Sequence, residues 1–139
     1  AFPPNHAFHI QLKKDLHEGL PPLMMQRAHL REIMVNLLVN AREAAGENGI
    51  VQVSCRPSPQ YAIELRVKDS GEGIPPDQRE QIFEAYFTTK KKGTGLGLAI
   101  VKQNTELYGG EIVVESELGV GTEFILTFPT RVLLQKNES

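Results

Sequence analysis

Apolar positions along this chain switch between a strand period and a helix period, and the switches divide it into elements. Phe8 to Leu16 can run extended, and Leu23-Met24-Met25, after the Pro21-Pro22 breaker, can form a short second strand. From Leu30 the period becomes helical: Leu30, Ile33, Met34, Leu37, Leu38, Ala41, Ala44 and Ala45 fall on one face, and Gly46 and Gly49 stop the helix. Val51, Val53 and Cys55 then alternate with polar residues. After Pro57-Ser58-Pro59, Tyr61, Ile63, Leu65 and Val67 do the same, which predicts a hairpin with one buried face. A Gly/Pro-rich turn (Ser70 to Pro76) leads to a short amphipathic piece from Gln78 to Phe83 and a polar loop with Lys90, Lys91 and Lys92. Leu96, Ile100, Gln103 and Leu107 predict a second long helix, closed by Gly109-Gly110. Ile112-Val113-Val114 and Thr122 to Phe128 form a last alternating pair across Gly119-Val120-Gly121. Two helices on one face of a mixed, mostly antiparallel sheet make an α+β two-layer sandwich.

Composition narrows the function without naming it. The 139 residues read as one domain, with a core from about residue 8 to residue 130. Because residue 1 is alanine, the chain is expected to be a piece of a longer protein. Fifteen Lys and Arg against 17 Asp and Glu give a net charge of −2, so there is no basic footprint for nucleic acid, and an anionic ligand would need local donors. One cysteine excludes an internal disulfide framework and fits a reducing, cytoplasmic setting. No apolar run reaches membrane-spanning length, so no membrane contact by this piece is expected. The four histidines, His6, His9, His17 and His29, show no metal-ligand spacing, and Cys55 reads as a small inward hydrophobe.

Three groups of residues do not fit a purely structural pattern. On the first long helix Glu32, Asn36, Asn40 and Glu43 share an arc of about 80°, well away from the apolar stripe. Such a stripe is either a solvated face or a set of hard oxygen donors of the kind Mg²⁺ accepts. Asp69 continues the inward parity of Ile63, Leu65 and Val67, so its carboxylate points at the core and needs a donor partner. With Gly71 and Gly73 behind it, the segment is either an ordinary turn or a place where Asp69 accepts from an exocyclic amino group such as that of adenine. Thr122 has the parity of Phe124, Leu126 and Phe128 and can face the same pocket. Finally, KKKGTGLGLAIV runs glycines 93, 95 and 97 into a helix start, a pattern that can cradle phosphate but lacks the Gly-Lys-Ser/Thr of a Walker loop.

Taken in order, NLLVNAREA (Asn36 to Ala44), DSGEGIP (Asp69 to Pro75), IFEAYFTTK (Ile82 to Lys90) and GTGLGLAIV (Gly93 to Val101) resemble the ATP-binding catalytic domain of sensor histidine kinases. They are similar to its asparagine box, first glycine box, phenylalanine box and second glycine box, and GVGTEF (Gly119 to Phe124) matches the final strand signature. The resemblance covers roughly Leu30 to Pro129 and implies the Bergerat α/β sandwich of the GHKL superfamily, with ATP and Mg²⁺ as cofactors. It implies Asn40 as the Mg²⁺ ligand and Asn36 beside it facing the phosphates, with Glu32, Asn36 and Asn40 as the catalytic set. Asp69 would bind the adenine amino group, Gly71, Gly73 and Ile74 would line the base, and Thr122 would assist through water. Phe83, Phe87 and the stretch to Gly97, with Lys90, Gly93, Thr94, Gly95, Leu96 and Leu98, would form the ATP lid and the phosphate contacts.

The chain departs from the family pattern at two places. Glu43 stands where many sensor kinases have lysine, so a phosphate contact there would fall to Arg42 or to Lys90 to Lys92. The interval between the phenylalanine box and the second glycine box is short, which implies a small lid and a likeness to nitrogen-regulation and dicarboxylate sensors. A phosphoacceptor histidine box is missing: His17-Glu18 mimics it, but lies only 23 residues before Asn40 and precedes helix-breaking Gly19-Leu20-Pro21-Pro22. The partners implied are therefore a histidine-bearing dimerisation domain of the same parent protein and a response regulator. Two other readings stay open, a GHKL-type ATPase clamp and an anti-sigma-like serine kinase or nucleotide-binding module. Asn36 argues against the clamp, because ATP-hydrolysing relatives typically carry a water-activating glutamate there.

Overall fold

The structure, a computed structural model, describes residues 11–16, 18–20, 23–58, 63–87 and 96–129. His6, His9, His17, Tyr61, Lys90 to Lys92, Gly93, Thr94 and Gly95 lie outside the described residues. Five strands, β1 (Gln11–Leu16), β2 (Ile50–Arg56), β3 (Ile63–Asp69), β4 (Glu111–Glu117) and β5 (Gly121–Phe128), form one sheet in the order β1-β2-β3-β5-β4. β1 pairs parallel with β2, and every other pair is antiparallel. Helices α1 (Arg27–Ala45) and α2 (Gly97–Leu107) pack on each other and on one face of the sheet, giving the α+β two-layer sandwich.

The core lies between these layers. Ile33, Leu37 and Ala41 of α1 and Val101 of α2 meet Val51, Val53, Leu65, Val67, Phe124, Leu126 and Phe128 from three strands. The strand parity is as the alternation required: Ile63, Leu65, Val67 and Asp69 are all buried while Glu64, Arg66 and Lys68 face the open side. There the Arg66 guanidinium sits 2.9 Å from Glu64 and 3.3 Å from Glu123, and the Glu64 hydrogen bond heads the causes that raise its pKa above the ordinary value.

Two expectations need correction, and a third, the short amphipathic piece, gains detail. Leu23 to Met25 is no strand; β1 already occupies the place beside β2, and the segment leads into α1 with Leu23 and Met25 packed on the core and Met24 exposed. The stretch Gln78 to Phe83 forms two 3-10 turns, Pro76–Gln78 and Gln81–Phe83, that bury Ile82. The second helix forms, but only part of its expected inward face holds, with Leu96 and Ile100 half-buried. Gln103 and Leu107 are exposed, and Val101, Asn104 and Thr105 are buried instead. Two polar residues can take core positions because each is satisfied: Asn104 donates to Glu32 at 2.8 Å, and the Thr105 hydroxyl donates to the Val101 carbonyl at 2.7 Å.

Candidate functional site

Asp69 ends β3 and is only 2% exposed, although a lone buried carboxylate would be costly. The Gly71 N–H donates to its Oδ1 at 2.8 Å, a turn closed by the side chain on its own following backbone. A carboxylate has about four acceptor sites, so this bond does not exhaust it. Directly opposite in the β3–β5 register stands Thr122, 4% exposed, whose Oγ1 lies 2.8 Å from Ser116 Oγ on β4. The Ser116 hydroxyl also accepts from the Ile74 N–H at 2.8 Å and donates to the Gly121 carbonyl at 3.0 Å, while Arg79 donates to the Ser116 carbonyl. The loop after Asp69 is thus tied to the β4–β5 hairpin by one serine.

The glycines of this loop have a packing reason. A Cβ on Gly71 would lie 2.3 Å from the Ala44 carbonyl oxygen in the last turn of α1. Gly73 has φ +86°, and a Cβ there would lie 2.4 Å from the Glu117 carbonyl oxygen. The loop is therefore pressed between α1 and the hairpin, with backbone meeting backbone, and the half-buried Ile74 packs against the core.

On α1 the predicted polar stripe exists and is graded. Asn36 and Asn40 are half-buried, and Glu32 and Glu43 are exposed. Asn36 Nδ2 donates to the Glu32 backbone carbonyl at 2.8 Å, one turn back, which leaves its oxygen pointing toward the start of α2. A Cβ on Gly97 would lie 3.0 Å from that oxygen, so Asn36 stands beside the N-terminal turn of α2. Each four-residue step along a helix advances about 6 Å. Asn36, Asn40 and Ala44 therefore form a row from the start of α2 to the Asp69 loop, and the structure brings the two ends of the expected site onto one surface. The carboxylate of Glu32 accepts from Asn104 and joins the two helices.

The remaining candidates divide. Phe83 is half-buried and packs edge-to-face on Phe124, ring centroids 6.1 Å apart, with Lys102 Nζ 6.0 Å from its centroid. Phe87, Leu96 and Leu98 are half-buried, and Phe87 and Leu98 pack against the core. His29 hydrogen-bonds and stacks edge-on with Tyr108, a tie between the start of α1 and the end of α2. Burial pushes the Cys55 thiol up, as suits a small hydrophobe. On the open face of the sheet, a depression of about 380 Å³ mixes Lys13, Arg56 and Lys68 with Glu64 and Glu123 and offers no single charge sign to a ligand. Sequence reasoning missed Ser116 and Asn104. Ser116 was reachable by the argument used for Asp69, since it shares the inward parity of Ile112 and Val114 and an inward hydroxyl demands partners.

Residues 25–132 match the family described as histidine kinase-, DNA gyrase B- and HSP90-like ATPase. Sensor histidine kinase ZraS of Escherichia coli (strain K12) is 40% identical over 123 residues, 88% of this chain and 26% of that protein. Sporulation kinase E of Bacillus subtilis (strain 168) is 36% identical over 122 residues, 88% of this chain and 16% of that protein. The catalytic domain of histidine kinase ThkA superposes with a TM-score of 0.77 at 34% identity, covering 87% of this chain and 79% of that one. Full-length ShkA in complex with AMPPNP superposes with the same TM-score and identity, covering 87% of this chain and 26% of that one. The chain belongs to this ATPase family, as an ATP-binding catalytic domain of the histidine kinase kind. It spans about a quarter or less of the length of these curated relatives. Among the described residues no helix is long and apolar enough to cross a membrane.

Proposed function

We propose that the chain binds ATP with its base at Asp69 and its phosphates along α1 toward the start of α2, and transfers the γ-phosphoryl group to a histidine of a separate dimerisation domain. One observation carries the reading: a buried carboxylate at the end of β3 is joined, through Gly71 against Ala44, to a helix whose next turns present Asn40 and Asn36. A surface that begins with a charged acceptor and ends with amide oxygens beside a helix N-terminus suits a ligand with an amino-bearing base and a phosphate tail.

The donor set fits Mg²⁺, which takes hard oxygen ligands and keeps waters and substrate phosphates in its other positions. Asn40 is the residue we assign to hold it, with Asn36 turned toward the phosphates by its bond to Glu32. Bound there, the ion would neutralise phosphate charge as the transfer proceeds. Asp69 orients the base, and Gly97 lets α2 come close enough for its N-terminal N–H groups to meet phosphate. In the transfer the bond between the γ-phosphorus and its bridging oxygen breaks and a bond to an imidazole nitrogen forms, leaving ADP. A neutral imidazole needs no base to become a nucleophile, whereas water does, and the amide of Asn36 cannot take water's proton. That favours transfer over hydrolysis. A response regulator is the expected later acceptor.

The test mixes the chain with labelled ATP and a separate histidine-bearing dimerisation domain. Acid-labile, base-stable label on that domain is the expected result. Acid-stable label would point to a serine kinase, and steady phosphate release without transfer would point to an ATPase clamp. Asn36→Glu is expected to raise hydrolysis in the absence of an acceptor.

A further inference from the structure

We infer that Ser116 is a positioning residue that sets the direction of the Thr122 hydroxyl, and through it the selection of a 6-amino purine over a 6-oxo purine. The inference rests on the base lying at Asp69, as proposed above. Ser116 has one proton and three neighbours: the Ile74 N–H, the Gly121 carbonyl and the Thr122 hydroxyl, at 2.8, 3.0 and 2.8 Å. The amide can only donate to it and the carbonyl can only accept from it. Its proton therefore goes to Gly121, and only one arrangement satisfies the third contact: Thr122 donates to Ser116. With its single proton committed, Thr122 presents lone pairs alone on its other side.

Thr122 stands directly across the register from Asp69, whose carboxylate also only accepts. Two acceptors side by side match the N–H groups of an exocyclic amine, and a carbonyl in the same place meets lone pairs on both. Burial strengthens the contrast, since Asp69 and Thr122 are 2% and 4% exposed and a mismatched polar pair costs more away from bulk solvent. Ser116 itself is held from both sides, by Ile74 on its hydroxyl and by Arg79 on its carbonyl, so it does not turn with its neighbour. Without the serine oxygen, the Thr122 hydroxyl is able to rotate and donate, and a 6-oxo base becomes acceptable.

The experiment compares ATP with inosine triphosphate by calorimetry on the 139-residue chain, with thermal unfolding measured for every variant. Ser116→Ala is expected to lower the ATP-to-inosine-triphosphate affinity ratio about threefold to tenfold, chiefly by improving the inosine nucleotide. Ser116→Thr, which keeps the hydroxyl, restores the ratio. Thr122→Val lowers it as well, and adding Ser116→Ala to that variant changes it no further. Thr122→Val does not depend on Ser116→Ala folding, so an unchanged ratio there overturns the inference on its own. An unchanged ratio in folded Ser116→Ala, with Asp69→Asn still collapsing it, overturns the role of Ser116 while leaving the adenine site standing. Equal binding of the two nucleotides by the unsubstituted chain overturns the adenine site itself.

Discussion

At the end of β3, Asp69 and Thr122 are nearly inaccessible and hold hydrogen bonds with Gly71 and Ser116, whereas along α1 the amides of Asn36 and Asn40 are half-buried and Glu32 and Glu43 are exposed, Glu32 with its carboxylate on Asn104. The contrast follows from what burial demands. A polar group shut away from water must find its partners inside the protein before any ligand arrives, so that end is pre-organised. A half-exposed amide, even one with a partner in the protein, stays open to a ligand. Recognition of the base should therefore be insensitive to metal, and the grip on the phosphates should depend on it.

Four substitutions break or sharpen this contrast, and the largest effect is expected at Asp69. A hydrogen bond to a charged group contributes about 1.5–3 kcal/mol, so Asp69→Asn should weaken ATP by roughly ten- to a hundredfold, equally with Mg²⁺ and with EDTA, by calorimetry. Asn40→Ala should cost roughly tenfold, but only when Mg²⁺ is present; an equal loss in EDTA would remove the metal role. Asn104→Ala takes the buried donor from Glu32 and should lower stability in urea by about 1 kcal/mol without changing the preference for adenine. Glu106→Gln breaks the exposed pair with Lys102, at 2.6 Å, and should change stability by no more than about 0.5 kcal/mol. A larger effect there would mean that the Lys102 contact with Phe83 depends on that pair.

Much of the framework could be read from alternation. The parity of Ile63, Leu65 and Val67 put Asp69 inside, and that of Phe124, Leu126 and Phe128 put Thr122 beside it, because a strand's period of two leaves no choice once one face is buried. The same logic failed on α2. Asn104 and Thr105 are inward because their polar atoms are paired, and the partner of Asn104 is 72 residues away on another helix, where a hydropathy pattern cannot see it. Ser116 was open to the parity argument, and only its partner, the Ile74 N–H 42 residues earlier, lay beyond it. The glycines of the Asp69 loop were legible as special but not in purpose: at Gly71 and Gly73 the groups that approach are protein carbonyls.

β1 is exposed at every position and, among the described residues, is held to the sheet along one side, in parallel, by β2. Unzipping it would uncover little apolar area, while β3, β5 and both helices kept their mutual packing. Its amides should be the first of the sheet to exchange with deuterated solvent, ahead of those around Asp69. A pull on the chain before Gln11 would then be absorbed at this margin, and the loop around Asp69 would be spared strain arriving from that direction.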